Sequence, residues 1–258
     1  MISSIIKKIP KPARTVIVLA FWVLVWFIIA ECVNNPVLIS TPFDVILNLF
    51  SMCKTAEFYI IISTSVLRII AGFFTAVIFG SVLGVISGKS ALIDEILSPL
   101  LSVIKSTPVA SFIILALFWL DKNTIPSFIS FLMVLPIMHG NVSEGIKNTS
   151  VELIEMTWIY NFSFTNKLTR LYLPNIFPYF TAGFKTSLGL AWKAGVAAEV
   201  IAFTKNSIGL KLSDAKTYLE TVDLFSWTLV VIVISMILEK VLLSAVNRFT
   251  LKRSGAKK

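Results

Sequence analysis

Runs of apolar residues long enough to cross a bilayer recur along this chain, and they constrain its fold more than any motif does. A hydrocarbon core about 30 Å thick is crossed by roughly 20 helical residues, and six such stretches can be placed. They cover about 15–33, 59–87, 97–120, 124–143, 178–203 and 224–246. The third is interrupted by Lys105 and Pro108, and the fourth contains Pro126 and Pro136. No alternating apolar and polar pattern marks barrel strands, so the expected fold is an all-α integral membrane protein. With only 14% charged residues among 258 and a mean hydropathy of +0.87, the composition fits that class.

The formal charge of +9 does not point to nucleic acid, because its placement follows the membrane. Lys7, Lys8, Lys11 and Arg14 precede the first run, and Arg248, Lys252, Arg253, Lys257 and Lys258 follow the last. With the N-terminus inside, Lys89, Lys147, Lys167 and Arg170 join them, giving thirteen basic residues in inner segments. Lys54, Lys122, Lys205, Lys211 and Lys216 make five outside. That bias predicts both termini in the cytoplasm. The expected organisation is a basic N-terminus over 1–14, one membrane domain over 15–248 and a basic tail over 249–258. The first run ends in Glu31-Cys32-Val33-Asn34-Asn35 without a small-x-small cleavage site, so it reads as a retained span.

Small residues recur at helical spacing in two spans: Gly72, Ala76, Gly80, Gly84 and Gly88, then Gly183, Ser187, Ala191 and Gly195, the next step landing on Glu199. Such stripes let helix backbones approach closely. Whether the two faces meet in one chain or across a dimer is open at this point. Lys193 and Glu199 are ionisable groups inside a span, costly there by about 2.5–3.5 kcal/mol each on insertion scales, and they belong in a protein interior or along a pathway.

Recognisable chemistry is sparse. Gly84 to Ser90 is one residue short of a phosphate-binding loop and continues the membrane stripe instead. His139 is the single histidine and is expected to pack near the inner end of its span; Cys32 and Cys53 are too few and too separated for a metal site.

The polar segment 144–176 stands apart. Residues 152–160 can form a short helix, Asn161 can take the left-handed conformation that ends one, Ser163 or Thr165 can cap the next, and Pro174 is expected to stop it. Met156, Trp158, Ile159, Phe162 and Phe164 make this loop unusually apolar. It can be an amphipathic helix on the lipid surface or a knob docked in a groove of a soluble partner.

These residues resemble the membrane-spanning permeases of ABC importers, whose cytoplasmic motif reads Glu-Ala-Ala-x-x-x-Gly with a proline downstream. The corresponding positions are Glu155, Met156, Thr157, Asn161 and Pro174; the glutamate and the spacing match, while both alanines and the glycine are replaced. The resemblance runs from about Thr64 to Arg248. Ser65 to Phe73, the glycine stripe, Pro99 through Lys105 to Pro108, Leu117-Phe118-Trp119, and Leu190-Ala191-Trp192 through Glu199 are similar to the nitrate, sulfonate, taurine and bicarbonate branch. Leu120-Asp121 departs from the Phe-Gly usual there.

The resemblance implies a type I importer-like permease of about six spans, a homodimer in a bacterial inner membrane. It implies a cytoplasmic ABC ATPase that holds ATP and magnesium, an extracytoplasmic substrate-binding protein, and no cofactor or catalysis on this chain. Glu152, Glu155, Met156, Thr157, Ile159, Asn161, Phe162 and Pro174 would form the coupling element. Lys193, Gly195 and Glu199 would border the translocation route for a small polar, anionic solute. The competing class is a stand-alone secondary transporter or channel, which leaves 152–174 without a purpose.

Overall fold

The computed structural model describes residues 10–253, the side chains of residues 11, 12, 164 and 247–253 excepted. The expectations for Lys7, Lys8, Lys257 and Lys258 lie outside the described residues, as do those for the side chains of Lys11, Arg248, Lys252 and Arg253. The chain is helical: α1 Lys11–Val33, α2 Pro42–Met52, α3 Ala56–Lys89, α4 Ala91–Ser106, α5 Val109–Ala116, α6 Ile125–Lys147, α7 Val151–Ile159, α8 Phe164–Asn166, α9 Leu173–Ala202, α10 Ile208–Thr217 and α11 Thr221–Arg253. The helices divide into two compact units, each described by itself. One holds residues up to Tyr59 with Lys211–Val230, the other Ile60–Leu210 and the chain from Val231 onward.

In the first unit, Trp26 donates its indole N–H to the Ser40 carbonyl at 3.1 Å and stacks on Phe225 at 5.7 Å. Helix α2, which periodicity did not reveal, starts where Thr41 accepts the Asp44 N–H, with Pro42 in its first turn. At 11 residues it is too short to cross. Its Asn48 donates to Asp223 at 2.6 Å and Ser226 at 3.0 Å. Cys32 and Cys53 are free thiols.

The second unit is organised around α6. Added to Gly72, a Cβ would run into the Ser127 carbonyl oxygen, and at Gly84 it would lie 2.7 Å from that of His139. Gly80 and Gly88 likewise abut Met138 and Ile146. Residue numbers rise together along the two helices, so α3 and α6 run parallel. Helix α9 covers another side of α6 in the opposite sense: Gly145 meets Ile176, Asn141 meets Gly183, and Ser130 donates to the Ala191 carbonyl at 3.1 Å. Ser187 and Ala191 are buried in the same seam, and Gly195 is pressed against Ile69 and Ser130. Both small-residue stripes therefore pack within one chain, and α6 is where they meet.

That register also decides the third span. Pro108 breaks it, α4 and α5 being bent by 100°, while Pro99 is carried within α4. The chain leaves α3 beside Ile146 and enters α6 beside Gly72. The α4–α5 pair must therefore return the whole distance, and it is one broken crossing. Among the described residues four helices are long and apolar enough to cross by themselves: Ala13–Val33, Ala56–Lys89, Ile125–Lys147 and Thr221–Val246. Helix α9 follows α6 for about 28 Å at 1.5 Å per residue, a span's length, although its composition does not place it among those four.

The 144–176 segment differs from expectation at its end. Pro174 does not stop a helix; it sits in the first turn of α9, and helical structure continues from Phe164 to Ala202. The intervening Lys167–Tyr172 is π-helical, with Leu173 N–H donating to the Leu168 carbonyl five residues back. The wider turns absorb the missing donor and the ring of the proline.

Candidate functional site

Helix α7 is fastened at both ends. Ser150 accepts the Leu153 N–H at 3.4 Å, and Glu152 lies in the first turn, where a negative charge suits the helix dipole. At the other end Asn161 is left-handed, with φ of 48°. Phe162 N–H donates to the Thr157 carbonyl at 2.9 Å and Asn161 N–H to that of Trp158 at 3.1 Å. This is the paired closure that usually recruits glycine, so asparagine performs the backbone task of the residue it replaces. Ser163 accepts the Asn166 N–H at 3.4 Å and starts the next helix, while Thr165 plays no such part.

Thr157 is the buried side chain of α7, its hydroxyl turned back to the Ile154 carbonyl at 2.7 Å. Glu152, Glu155, Met156, Trp158 and Ile159 are exposed, Trp158 by 70% and Ile159 by 77%, and Phe162 is half-buried. Lys167 lies over the Trp158 ring at 4.3 Å, and Lys89 over Tyr172 at 4.6 Å, tying the element to the end of α3. The result is a held helix that leaves Met156 and Ile159 exposed and sets Trp158 beneath Lys167.

The three residues expected on a route separate. Lys193 is exposed. Gly195, one of the seam glycines, is enclosed between Ile69 and Ser130. Glu199 is fully buried, and its Oε2 accepts from Ser65 at 2.9 Å and from Gly209 N–H at 3.2 Å. Its carboxylate faces the start of α10 rather than an opening.

Sequence reasoning missed those partners, which come from distant segments, and two neighbouring constellations. Arg68 donates to the Lys205 carbonyl at 2.9 Å and to Asn123 at 3.3 Å, locking the ends of three crossings. Near the α7 end, His139 and the Ser87 hydroxyl are 2.8 Å apart, and Lys147 pairs with Asp94 at 2.6 Å. His139, Ser143 and Lys147 line a polar cavity of about 200 Å³ with Ser98, Ser102 and Lys105 of α4. A second cavity, about 520 Å³, lies among Lys105, Pro136, Gly140, Asn141, Glu144 and Tyr179. Among the described residues no three His, Cys, Asp or Glu side chains gather as a metal would require.

Apolar helices of spanning length, polar cavities beside α6 and an exposed helix held at both ends fit a multi-pass membrane permease. Residues 76–254 match the family described as binding-protein-dependent transport system inner membrane component, and the chain belongs to that family. It is the permease component of an importer, a transport part and not an enzyme, and a stand-alone secondary transporter is not favoured. The chain is 25% identical to the taurine transport system permease protein TauC of Escherichia coli (strain K12), over 90% of its own length and 86% of that protein. It is 28% identical to the bicarbonate transport system permease protein CmpB of Synechocystis sp., over 57% and 53% respectively. With the nitrate import permease protein NrtB of Leptolyngbya laminosa the identity is 27%, over 54% and 50%.

Proposed function

We propose that this chain forms, as a homodimer in a bacterial inner membrane, the pathway by which a small polar anionic solute of the sulfonate, nitrate or taurine kind enters the cell. Both termini lie in the cytoplasm, in keeping with the basic bias of the inner segments. A separate cytoplasmic ABC ATPase binds ATP and magnesium, and an extracytoplasmic protein delivers the solute. The relatives named for taurine, nitrate and bicarbonate transport support the solute class.

The observation that carries the coupling role is α7. Its exposed Met156, Trp158 and Ile159 lie between two fixed ends, as an anchor for a protein groove requires. Closure of the ATPases would move α7 as a rigid piece and, through the π-helical Lys167–Tyr172 stretch, tilt α9.

Affinity purification of the tagged chain from its native membrane tests this reading. The expected result is a stoichiometric soluble ATPase that is lost when Glu155→Arg and Met156→Asp are combined. Unchanged retention and uptake in that variant would remove α7 from the interface.

A further inference from the structure

Helix α4 returns along α6 in the opposite sense, and the polar residues of the two helices fall in register. Lys147 pairs with Asp94 at 2.6 Å. Equal steps back along α6 and forward along α4 then set Ser143 level with Ser98 and His139 level with Ser102. The same steps bring Lys105 level with Pro136, the midpoint of α6, and those two residues do border one cavity. Asp94, Ser98, Ser102 and Lys105 fall within about 80° of one another around α4, so they make a single polar stripe. The stripe, with His139 and Ser143, lines the cavity of about 200 Å³, where Leu101 is the one apolar side chain among the described residues.

Three groups in this wall are short of a partner. Among the described residues no carboxylate lies within ion-pair distance of Lys105. Ser143 is only 4% exposed, yet its hydroxyl makes no hydrogen bond. His139 is buried too, its Nε2 held 2.8 Å from the Ser87 hydroxyl of α3. With Ser87 donating there, the ring proton sits on Nδ1 and supplies one more donor.

Both carboxylates in the lining belong to the end nearer α7. Asp94 is taken by Lys147, and Glu144, about 12 Å along α6 from Pro136, accepts from Asn148 at 2.7 Å. The deep end therefore holds an ammonium without counter-charge, a costly group at mid-membrane, among groups that donate. We propose that Lys105, Ser102, His139 and Ser143 form a site for a compact oxyanion between α4 and α6, an inner station of the transport route. The site rests on the importer reading for its purpose. Oxyanions accept hydrogen bonds on every side, which suits a wall of donors with almost no apolar surface. The volume lies below the roughly 300–1,000 Å³ of sites for drug-sized ligands, so the solute has few heavy atoms. Lys105 also borders the larger cavity with Pro136 and Tyr179, which gives the anion a way in.

The test uses the full chain in lipid nanodiscs, with Cys32→Ser and Cys53→Ser and with Ser98→Cys as reporter, one turn from Ser102. Its modification rate by the uncharged methyl methanethiosulfonate is followed as sulfate or nitrate replaces the bulkier gluconate at constant ionic strength. Sulfate or nitrate is expected to slow the reaction saturably, about tenfold at ten times the half-protecting concentration. Lys105→Gln should raise that concentration at least about tenfold through loss of a charge-assisted hydrogen bond, and Lys105→Arg should restore part of it. Ser143→Ala, expected to raise it by a smaller factor, serves if Lys105→Gln does not fold. Absence of protection by either anion, or protection indifferent to these variants, overturns the site and leaves a hydrated seam. So does failure of the reagent at both Ser98→Cys and a second reporter, Ser102→Cys, which would show the seam to be dry. ATPase retention is read separately: a chain that retains none yet keeps Lys105-dependent protection loses the importer reading and keeps the site.

Discussion

Ser65 donates its hydroxyl hydrogen to Glu199 at 2.9 Å and accepts the N–H of Ile208 at the same distance. Glu199 takes the next amide, Gly209, and the Ser207 hydroxyl takes that of Leu210 at 3.0 Å. Three side chains thus satisfy the first amides of α10, groups that no helix can pair internally. Ser65→Ala leaves the Ile208 amide and the carboxylate each one partner short in a dry site, so thermal unfolding in detergent should show a loss of about 1–3 kcal/mol. Glu199→Gln keeps an acceptor oxygen, and uptake should stay close to wild type. A well-folded Glu199→Gln chain without uptake would show that the charge serves transport.

The seam between α3 and α6 predicts a sharp contrast between glycines. Gly72→Ala drives a methyl group into the Ser127 carbonyl, a backbone atom that cannot step aside. Overpacking of this kind costs about 1–3 kcal/mol or more, and the yield of monodisperse protein should fall accordingly. Gly140→Ala places the same group in open space and should leave yield and melting temperature unchanged. Equal damage at both positions would mean that the stripe does not form this seam.

The spans were legible in the sequence because lipid demands continuous apolar helix, and Asn161 was legible because few residues accept φ above zero. Elements with other causes were not. Helix α2 is too short for a membrane signal, and α10 depends on Ser65 and Glu199, each more than eight positions away. Pro174 misled because a proline reads as a stop unless a π-helical stretch relieves it, and local spacing carries no sign of that. Lys193 and Glu199 looked alike as ionisable groups on one helix; only the packing of α3 distinguishes a buried carboxylate from an exposed ammonium.

At residue 161 the substituent decides the turn. Asn161→Gly preserves the left-handed backbone and should leave ATPase retention intact. Asn161→Val forces a branched side chain into that region at a cost of about 1–2 kcal/mol, loosening the C-terminal closure of α7. Retention measured by co-purification should then fall although no contact residue has changed. An Asn161→Val chain that holds the ATPase as wild type does would show that docking does not depend on the fixed end of α7.

The parallel run of α3 and α6 makes a topological prediction. Lys89, Asn148 and α7 belong at one membrane face, and Lys122 and Lys205 at the other, because α4 and α5 must carry the chain across between them. In a Cys32→Ser, Cys53→Ser background, Asn148→Cys and Glu155→Cys should react with an impermeant maleimide only in inside-out vesicles. Lys122→Cys and Lys205→Cys should react only in intact cells or spheroplasts. Arg68, which donates to the Lys205 carbonyl and to Asn123, ties those two outer loops to α3, so they should label together. If Lys122→Cys instead labelled from the same side as Asn148→Cys, the 100° break at Pro108 would be a re-entrant turn. The parallel pairing of Gly72 with Ser127 and Gly88 with Ile146 would then be wrong, since no chain can enter α6 at the far face without crossing to it.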